Sequence, residues 1–204
     1  MNTLTANTTS ADFAPRGNRL VRSLAKLERV PAFLQPWLRN RVLGRAVPFT
    51  GTAGLHYAEM SPEQVVITVP NVRRVQNHIQ GVHAAAMALL AETATGMVVG
   101  MNVRDECLPL CKTLHIDFKR RAQGGLRAVA RLSSAQRELM RKNDKGEVSV
   151  LVHVSDESGE QPIQCEFIWA WIPTAKSLDI VKNRVIPAAA VYPQALSRSE
   201  KEFL

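Results

Sequence analysis

One segment limits the fold of this 204-residue chain more than any other. Between Ile79 and Val103 the only ionisable side chains are His83 and Glu92. The run NHIQGVHAAAMALLAETATGMVVG, beginning at Asn77, predicts a helix that starts near Gly81 and runs to about Gly96. Being apolar nearly all round, such a helix has to be enclosed. A bilayer could enclose it, but a carboxylate in mid-span would cost about 2.5–3.5 kcal/mol. Gly81, Gly96 and Gly100 also dilute the hydropathy, and the segment lacks flanking aromatic belts. The expectation is therefore a helix enclosed by protein, with no integral membrane segment.

The flanking sequence supplies the enclosure. Thr52–Met60 and Gln64–Val69 read as strands joined by a turn at Ser61-Pro62. Beyond Pro109, Leu114, Ile116 and Phe118 alternate with Thr113, His115 and Asp117. Gln123-Gly124-Gly125 reads as a hairpin turn, and Leu126–Ser133 as the returning strand. Glu147–Ser155 places Val148, Val150, Val152 and Val154 on one face, and Ser158-Gly159 makes the next turn. Ile163–Ile172 then alternates Ile163, Cys165, Phe167, Trp169 and Trp171 against the other face. One helix among antiparallel strands is buried only if the sheet curls about it. The reading is thus an α+β chain of the hotdog fold: an antiparallel sheet wrapped around one long central helix, with an N-terminal helical extension.

Around that core, residues 1–44 read as a disordered start (Met1 to Ala14, polar) followed by a basic helical arm. The arm's helical region, Asn18 to Leu43, is interrupted at Pro31 and Pro36. Leu20, Val21, Leu24 and Leu27 stand at helical spacing with Arg16, Arg19, Arg22, Lys26 and Arg29 between them. From Arg16 to Arg45 there are eight basic residues and one acid, Glu28, which is seven of the formal net charge of +8. That excess suits an anionic partner: a nucleotide-bearing cofactor, a nucleic acid or an anionic membrane surface. The core domain is placed at 45–173 and a tail, with at most a short helix, at 174–204. The three cysteines, Cys107, Cys111 and Cys165, give no pairing framework. Cys107 and Cys111 lack a second Cys or His pair at metal-binding spacing, so no metal is expected. No basic and apolar leader opens the sequence, and a reduced, cytoplasmic protein is expected.

Glu92 is the candidate for chemistry. An ionised glutamate is costly to bury without partners, so it must reach a polar cleft or be held by hydrogen bonds. A solvent-facing gap in the sheet, or an arginine across an interface, would satisfy it equally well. His83 stands at the helix start, where free N–H groups and the helix dipole stabilise negative charge, as an oxyanion requires. The Ala84 N–H suits that role, although a plain N-terminal histidine is the commoner situation. Nine positions separate His83 from Glu92, about 13 Å along one helix. If both act on one substrate atom, the site must join the helix start of one subunit to the helix middle of another, in a two-fold dimer.

The run Asn77-x-x-x-Gly81-x-His83-Ala84, then Glu92, then a strand ending Ile116-Asp117-Phe118, resembles the hotdog-fold thioesterases of the phenylacetate-pathway type. It is most similar to a bacterial branch of unassigned function, and the segment VPF-x-G-x-x-G-L from Val47 to Leu55 is similar too. The resemblance covers roughly Val47 to Ile172. It implies hydrolysis of an acyl-CoA thioester, with CoA entering only as part of the substrate and no separate cofactor. It implies that Asn77 orients substrate or water, that His83 and the following N–H position the thioester oxygen, and that Glu92 is nucleophile or general base. Ala84 replaces the family's usual Gly, which keeps the donor and adds a methyl group. The supporting Ser or Thr of the family falls near Cys111, a departure. Lys119, Arg120 and Arg121 are the candidates for the CoA phosphates, and Gly81 belongs to the substrate loop. Homodimers, or dimers of dimers paired through exposed sheet faces, are implied as well.

Two other functions fit the same fold: a non-catalytic acyl-CoA or acyl-group binding protein, and a hydratase or dehydratase. The latter enzymes carry Pro-Gly leading into the helix, which is missing here. Nucleic-acid or membrane-surface binding through the arm has the charge but no accompanying motif, and no nucleic-acid partner is expected.

Overall fold

The computed structural model describes residues 17–27 and 29–174. The expected disordered start, Met1 to Ala14, lies outside them, as does the C-terminal tail apart from Thr174. In chain order the elements are α1 (Arg19–Leu27), α2 (Gln35–Ala46), α3 (Pro48–Ala53), β1 (His56–Met60) and β2 (Gln64–Val69). A 3-10 turn at Arg73–Val75 leads to α4 (Ala84–Gly100), then β3 (Cys107–Phe118), β4 (Leu126–Arg131), α5 (Ser134–Lys142), β5 (Gly146–Asp156) and β6 (Ile163–Pro173). Six strands form one antiparallel sheet in the order β1-β2-β4-β5-β6-β3. It wraps around α4, which is the hotdog architecture.

The apolar helix behaves as its composition demands. Leu90, Ala91, Ala94, Val98 and Val99 are fully buried under Val65, Ile67, Ala128, Ala130 and Phe167. Burying side chains of the Val, Leu and Phe size is worth roughly 1.5–3 kcal/mol each. No helix among the described residues is long and apolar enough to cross a membrane. The inward face of β6 closes the core with Trp169 and Trp171. Trp169 Nε1 donates to Thr95 Oγ1 at 3.0 Å, and Trp171 Nε1 to the Asn143 carbonyl at 3.1 Å, so neither buried indole N–H is left unpaired.

The structure differs from the sequence reading at several places. Thr52 begins no strand: Pro48, with its φ preset for a first helical turn, starts α3, and Gly54 in the left-handed region (φ 71°) ends it. Pro36 does not interrupt a helix but occupies the first turn of α2, and residue 44, the expected end of the arm, lies inside that helix. The stretch Gln123–Gly125 is no hairpin, because β3 pairs with β6 while β4 pairs with β2 and β5. It is a crossover from one end of the sheet to its middle. Finally, α5 stands between β4 and β5, where no helix was expected. Ser133 and Gln136 cap its N-terminus reciprocally, and Met140 anchors it in the core.

At Gly96 the helix comes into contact with the sheet. A Cβ there would lie 2.7 Å from Trp169 Cη2, so only a glycine lets the indole cross the helix at this level. Gly96→Leu is expected to cost about 1–3 kcal/mol through overpacking. Urea unfolding would show a lower midpoint with an unchanged slope; an unchanged midpoint would mean that the Trp169 packing is not the constraint described.

Candidate active site at the gap between the sheet edges

The curled sheet does not close. One face of α4 (Ala85, Ala88, Leu89, Glu92 and Gly96, at helical spacing) is exposed or half-buried, whereas the other faces are buried. On the strand side, the residues of β3 that share the inner face with Trp169, Phe167 and Ile163 are Cys111, Leu114 and Phe118. These inner-face residues are nevertheless exposed, Leu114 by 48% and Phe118 by 54%. An uncovered lane thus runs between α4 and the edge strand β3, and Glu92 is the charged group in it.

The surroundings of Glu92 come from both ends of the sheet. The Tyr57 phenol on β1, the first edge, and the Cys111 thiol on β3, the last, are both pushed above their ordinary pKa values, by burial first and then by the Glu92 charge, whose field reaches both. Burial holds the Glu92 carboxyl above the usual glutamate range. The neighbouring Thr93 hydroxyl acts in the opposite sense, although it makes no hydrogen bond of proper geometry. Tyr57 is buried and donates its phenol proton to Thr50 Oγ1 at 3.0 Å, which in turn donates to the Val47 carbonyl. Thr95 Oγ1 donates back to the Ala91 and Glu92 carbonyls and accepts from Trp169, fixing the turn that carries the carboxylate. Tyr57 is a site residue that the sequence reading missed. The signal available was a tyrosine on the inward phase of a strand, which needs a hydroxyl partner once buried.

The helix start is a second, separate group. His83 is the N-cap of α4, and its Nδ1 accepts from the Ala85 N–H at 3.0 Å, which leaves Nε2 as the donor. The N–H groups of Ala86 and Met87 bond to the His83 carbonyl. Of the first four helix donors only that of Ala84, an exposed residue, has no partner among the described residues. The helix therefore begins at Ala84 rather than Gly81, and Gly81 belongs to the loop before it. Asn77 builds that loop: its Oδ1 accepts from the Ile79 and Gly81 N–H groups, both at 3.1 Å. With the acceptor so engaged, only the carboxamide Nδ2 remains to meet a ligand. Gln80 sits in the left-handed region (φ 60°) without being glycine, and its carbonyl is held by Asn71 Nδ2.

The three basic candidates separate. Arg121 donates to the Ile79 carbonyl at 2.9 Å and lines a cleft of about 350 Å³ with Asn71, Gln80 and Gly81, next to the helix start. Arg120 turns inward to an ion pair with the fully buried carboxylate of Asp156 (2.8 Å) and a bond to Ser158, so it is a structural cation. Lys119 is exposed and pairs with Asp117 at 3.1 Å. Asn77, Gly81, His83, Ala84 and Arg121 thus share one end of α4, while Glu92 and Cys111 lie in the lane, two to three turns further along the helix. Among the described residues, no three His, Cys, Asp or Glu side chains gather to hold a metal ion.

Several solved structures share this architecture. A Pseudomonas aeruginosa protein described as of unknown function and a probable thioesterase is 23% identical, covering 67% of this chain and 94% of its own, with a TM-score of 0.61. A thioesterase of the same organism, a Gln-to-Ala variant, is 16% identical over 66% and 94% of the two chains, with a TM-score of 0.53. A thioesterase from Haemophilus influenzae is 12% identical over 66% and 87%, with a TM-score of 0.51. At such identities the likeness carries the fold alone. No curated protein matches the sequence. The family model of a domain of unknown function, DUF4442, matches residues 36–172, from the start of α2 to the end of β6, and the chain belongs to that family.

Proposed function

We propose that the protein hydrolyses an acyl-CoA thioester at a site shared by two subunits, with Glu92 as the reacting carboxylate. The single observation behind this reading is a half-buried, uncompensated carboxylate, on an otherwise apolar helix, standing in an open lane beside an unpaired edge strand. The thioesterase descriptions of the structural neighbours point the same way.

A second subunit belongs to this reading on geometric grounds. The outer edge of β3 is twelve residues long and unpaired, with Leu108, Leu110, Leu114 and Phe118 each at least 40% exposed. An edge of this length and apolarity is covered in a stable protein. Pairing β3 with the β3 of a second copy continues the sheet and covers the lane by a two-fold operation. The same operation brings the helix start of one subunit towards Glu92 of the other, which a single α4 cannot do across about 13 Å. The Ala84 N–H then donates to the developing oxyanion, and Asn77 Nδ2 orients the thioester or the water. Glu92 removes a proton from water, or attacks the carbonyl carbon itself, and the CoA thiolate departs. In the water route the proton taken by Glu92 goes to the departing thiolate; in the direct route water then cleaves the acyl–Glu92 anhydride, which restores the carboxylate and supplies the thiolate with its proton. Arg121, at the rim of the helix start, faces the entering substrate, and Cys111 contributes a thiol beside Glu92 where the resembling enzymes have a hydroxyl.

Glu92 acts only when ionised, so kcat/KM should fall on the acid side with an inflection above the ordinary glutamate value of 4.5. Glu92→Gln should lower kcat on the best acyl-CoA by about 10²–10⁴-fold. Its stability should move the other way. A carboxyl whose folded pKa is raised costs stability once pH exceeds its unfolded value, and the cost is complete above the folded value. The Gln variant should therefore melt higher than wild type at pH 7 and match it below pH 4.5. Thiol release and melting curves check both; full activity in Glu92→Gln would end the assignment.

The shared site has its own test. Glu92→Gln and Asn77→Asp should each be nearly inactive. Refolded together in equal amounts, they should recover up to about a quarter of wild-type activity, since half the dimers are mixed and each has one intact site. No recovery, with mixed dimers shown by mass spectrometry, would place both residues in the site of a single chain.

A further inference from the structure

We propose that the cleft between α2, α3 and the Arg73–Val75 turn binds the phosphorylated adenine nucleotide end of CoA. The assignment rests on the acyl-CoA reading for the identity of the ligand, but its own evidence lies in the arm. The cleft has a volume of about 410 Å³ and is lined by Trp37, Arg41, Arg45, His56 and Arg74 together with backbone at three glycines. It has no carboxylate among its lining residues. In the described residues, none of these three arginines takes part in an ion pair with an acid. Three guanidiniums around one acid-free space repel each other and lower the energy of any anion entering it. Lys119 and Arg120, by contrast, are already paired.

The chemistry of the lining fits more than a bare phosphate. Trp37, Arg41 and Arg45 follow one another at four-residue spacing along α2, and the Arg41 guanidinium lies 5.7 Å from the Trp37 ring centre. Trp37 is 61% exposed, whereas Trp169 and Trp171 are buried. An exposed indole beside guanidiniums is a platform for a base with phosphates within reach. The cleft is also built in advance. A Cβ at Gly51 would lie 2.6 Å from the Gly44 carbonyl oxygen, so glycine permits α2 and α3 to cross at backbone contact and leaves the floor free of side chains. Arg74 is pinned over Gly54 by a bond from its Nε to the Ala53 carbonyl at 3.2 Å. Both walls belong to segments that also supply the candidate active site: His56 precedes Tyr57 on β1, and Arg74 stands three residues before Asn77.

Titration of the full-length protein with free CoA, followed by calorimetry and by Trp37 emission, tests the cleft without any thioester chemistry. CoA should bind and change the emission, and ADP, lacking the 3′-phosphate, should bind less tightly. The double variant Arg41→Glu/Arg45→Glu should bind CoA about 100-fold more weakly. Arg141→Glu, one charge reversal on α5, should bind as wild type. If the reversal disturbs folding, as circular dichroism would show, Arg41→Gln/Arg45→Gln replaces it, with a smaller loss expected. With acyl-CoA substrates the arm variants should raise KM far more than they change kcat. Unchanged CoA affinity in a folded double variant, or no binding of CoA by the wild type, overturns the proposal. So does a blue shift of Trp37 on phosphatidylglycerol vesicles without any response to CoA, which would make the arm a lipid-binding surface. Arginine-dependent CoA binding by a protein that hydrolyses no acyl-CoA would retain the cleft and remove the hydrolase reading. Hydrolysis that depends on Glu92 but not on Arg41 and Arg45 would do the reverse.

Discussion

Everything in this molecule depends on how an α-helix without a polar face is kept from water. Helix α4 has no side that can be left to solvent except the strip carrying Ala85, Ala88 and Glu92, and the sheet curls until only that strip is uncovered. The small residues that dominate the helix allow the close approach. At Gly96 the indole of Trp169 lies where a side chain would otherwise stand. Its N–H ends on Thr95, whose hydroxyl bonds back onto the carbonyl of Glu92. The packing that encloses the helix is thus the same packing that fixes the carboxylate. A core this well filled does not deform gradually, so the position of Glu92 is set by the fold and not by its own few contacts.

The same constraint explains why the two halves of the proposed site lie apart. The N-terminal donors of α4 are available only where the helix begins, and three of the first four are already used by His83. The carboxylate must sit where the sheet leaves a gap, and the gap opens between β1 and β3 near the helix middle. One helix cannot bring these two features together. A two-fold pairing along β3 would do so while covering the Leu114 and Phe118 side chains that face inward over nothing. Covering the apolar edge and assembling the reactive groups are then one event.

Much of this was legible in the sequence, for identifiable reasons. Gln64–Val69 was read with its observed bounds, and the alternations in β3, β5 and β6 gave their faces correctly, because period two reports local geometry. The isolation of Glu92 could be seen without coordinates, since a carboxylate among Ala, Leu and Met is a compositional fact. Strand order was not visible. Gln123-Gly124-Gly125 has hairpin chemistry but serves a crossover, because pairing partners are chosen by distant residues. Helix α5 had a signal, the Ser133 and Gln136 capping pair, that was overlooked beside stronger strand patterns. The basic run at Lys119–Arg121 reads as one charged patch, yet a buried Asp156 thirty-six residues away takes Arg120 out of it. Tyr57 near Glu92 brings an edge strand to the middle of the central helix, a pairing which no local pattern encodes.

The placement of charge follows from the same geometry. Seven of the eight net positive charges lie between Arg16 and Arg45, and α2 packs this arm against β1, one of the two strands flanking the gap. Elsewhere cations have carboxylates to pair with, as at Lys112 with Glu147 and Arg137 with Glu63. In the described residues the arginines of α2 have none. Uncompensated like charges destabilise the element that carries them, and α2 gains little from burial, since Leu43 is its only buried residue. A helix that weak on its own terms is best explained by what it faces. Its arginines line a cleft without carboxylates, where they would attract an anionic substrate that the ionised Glu92 alone would repel.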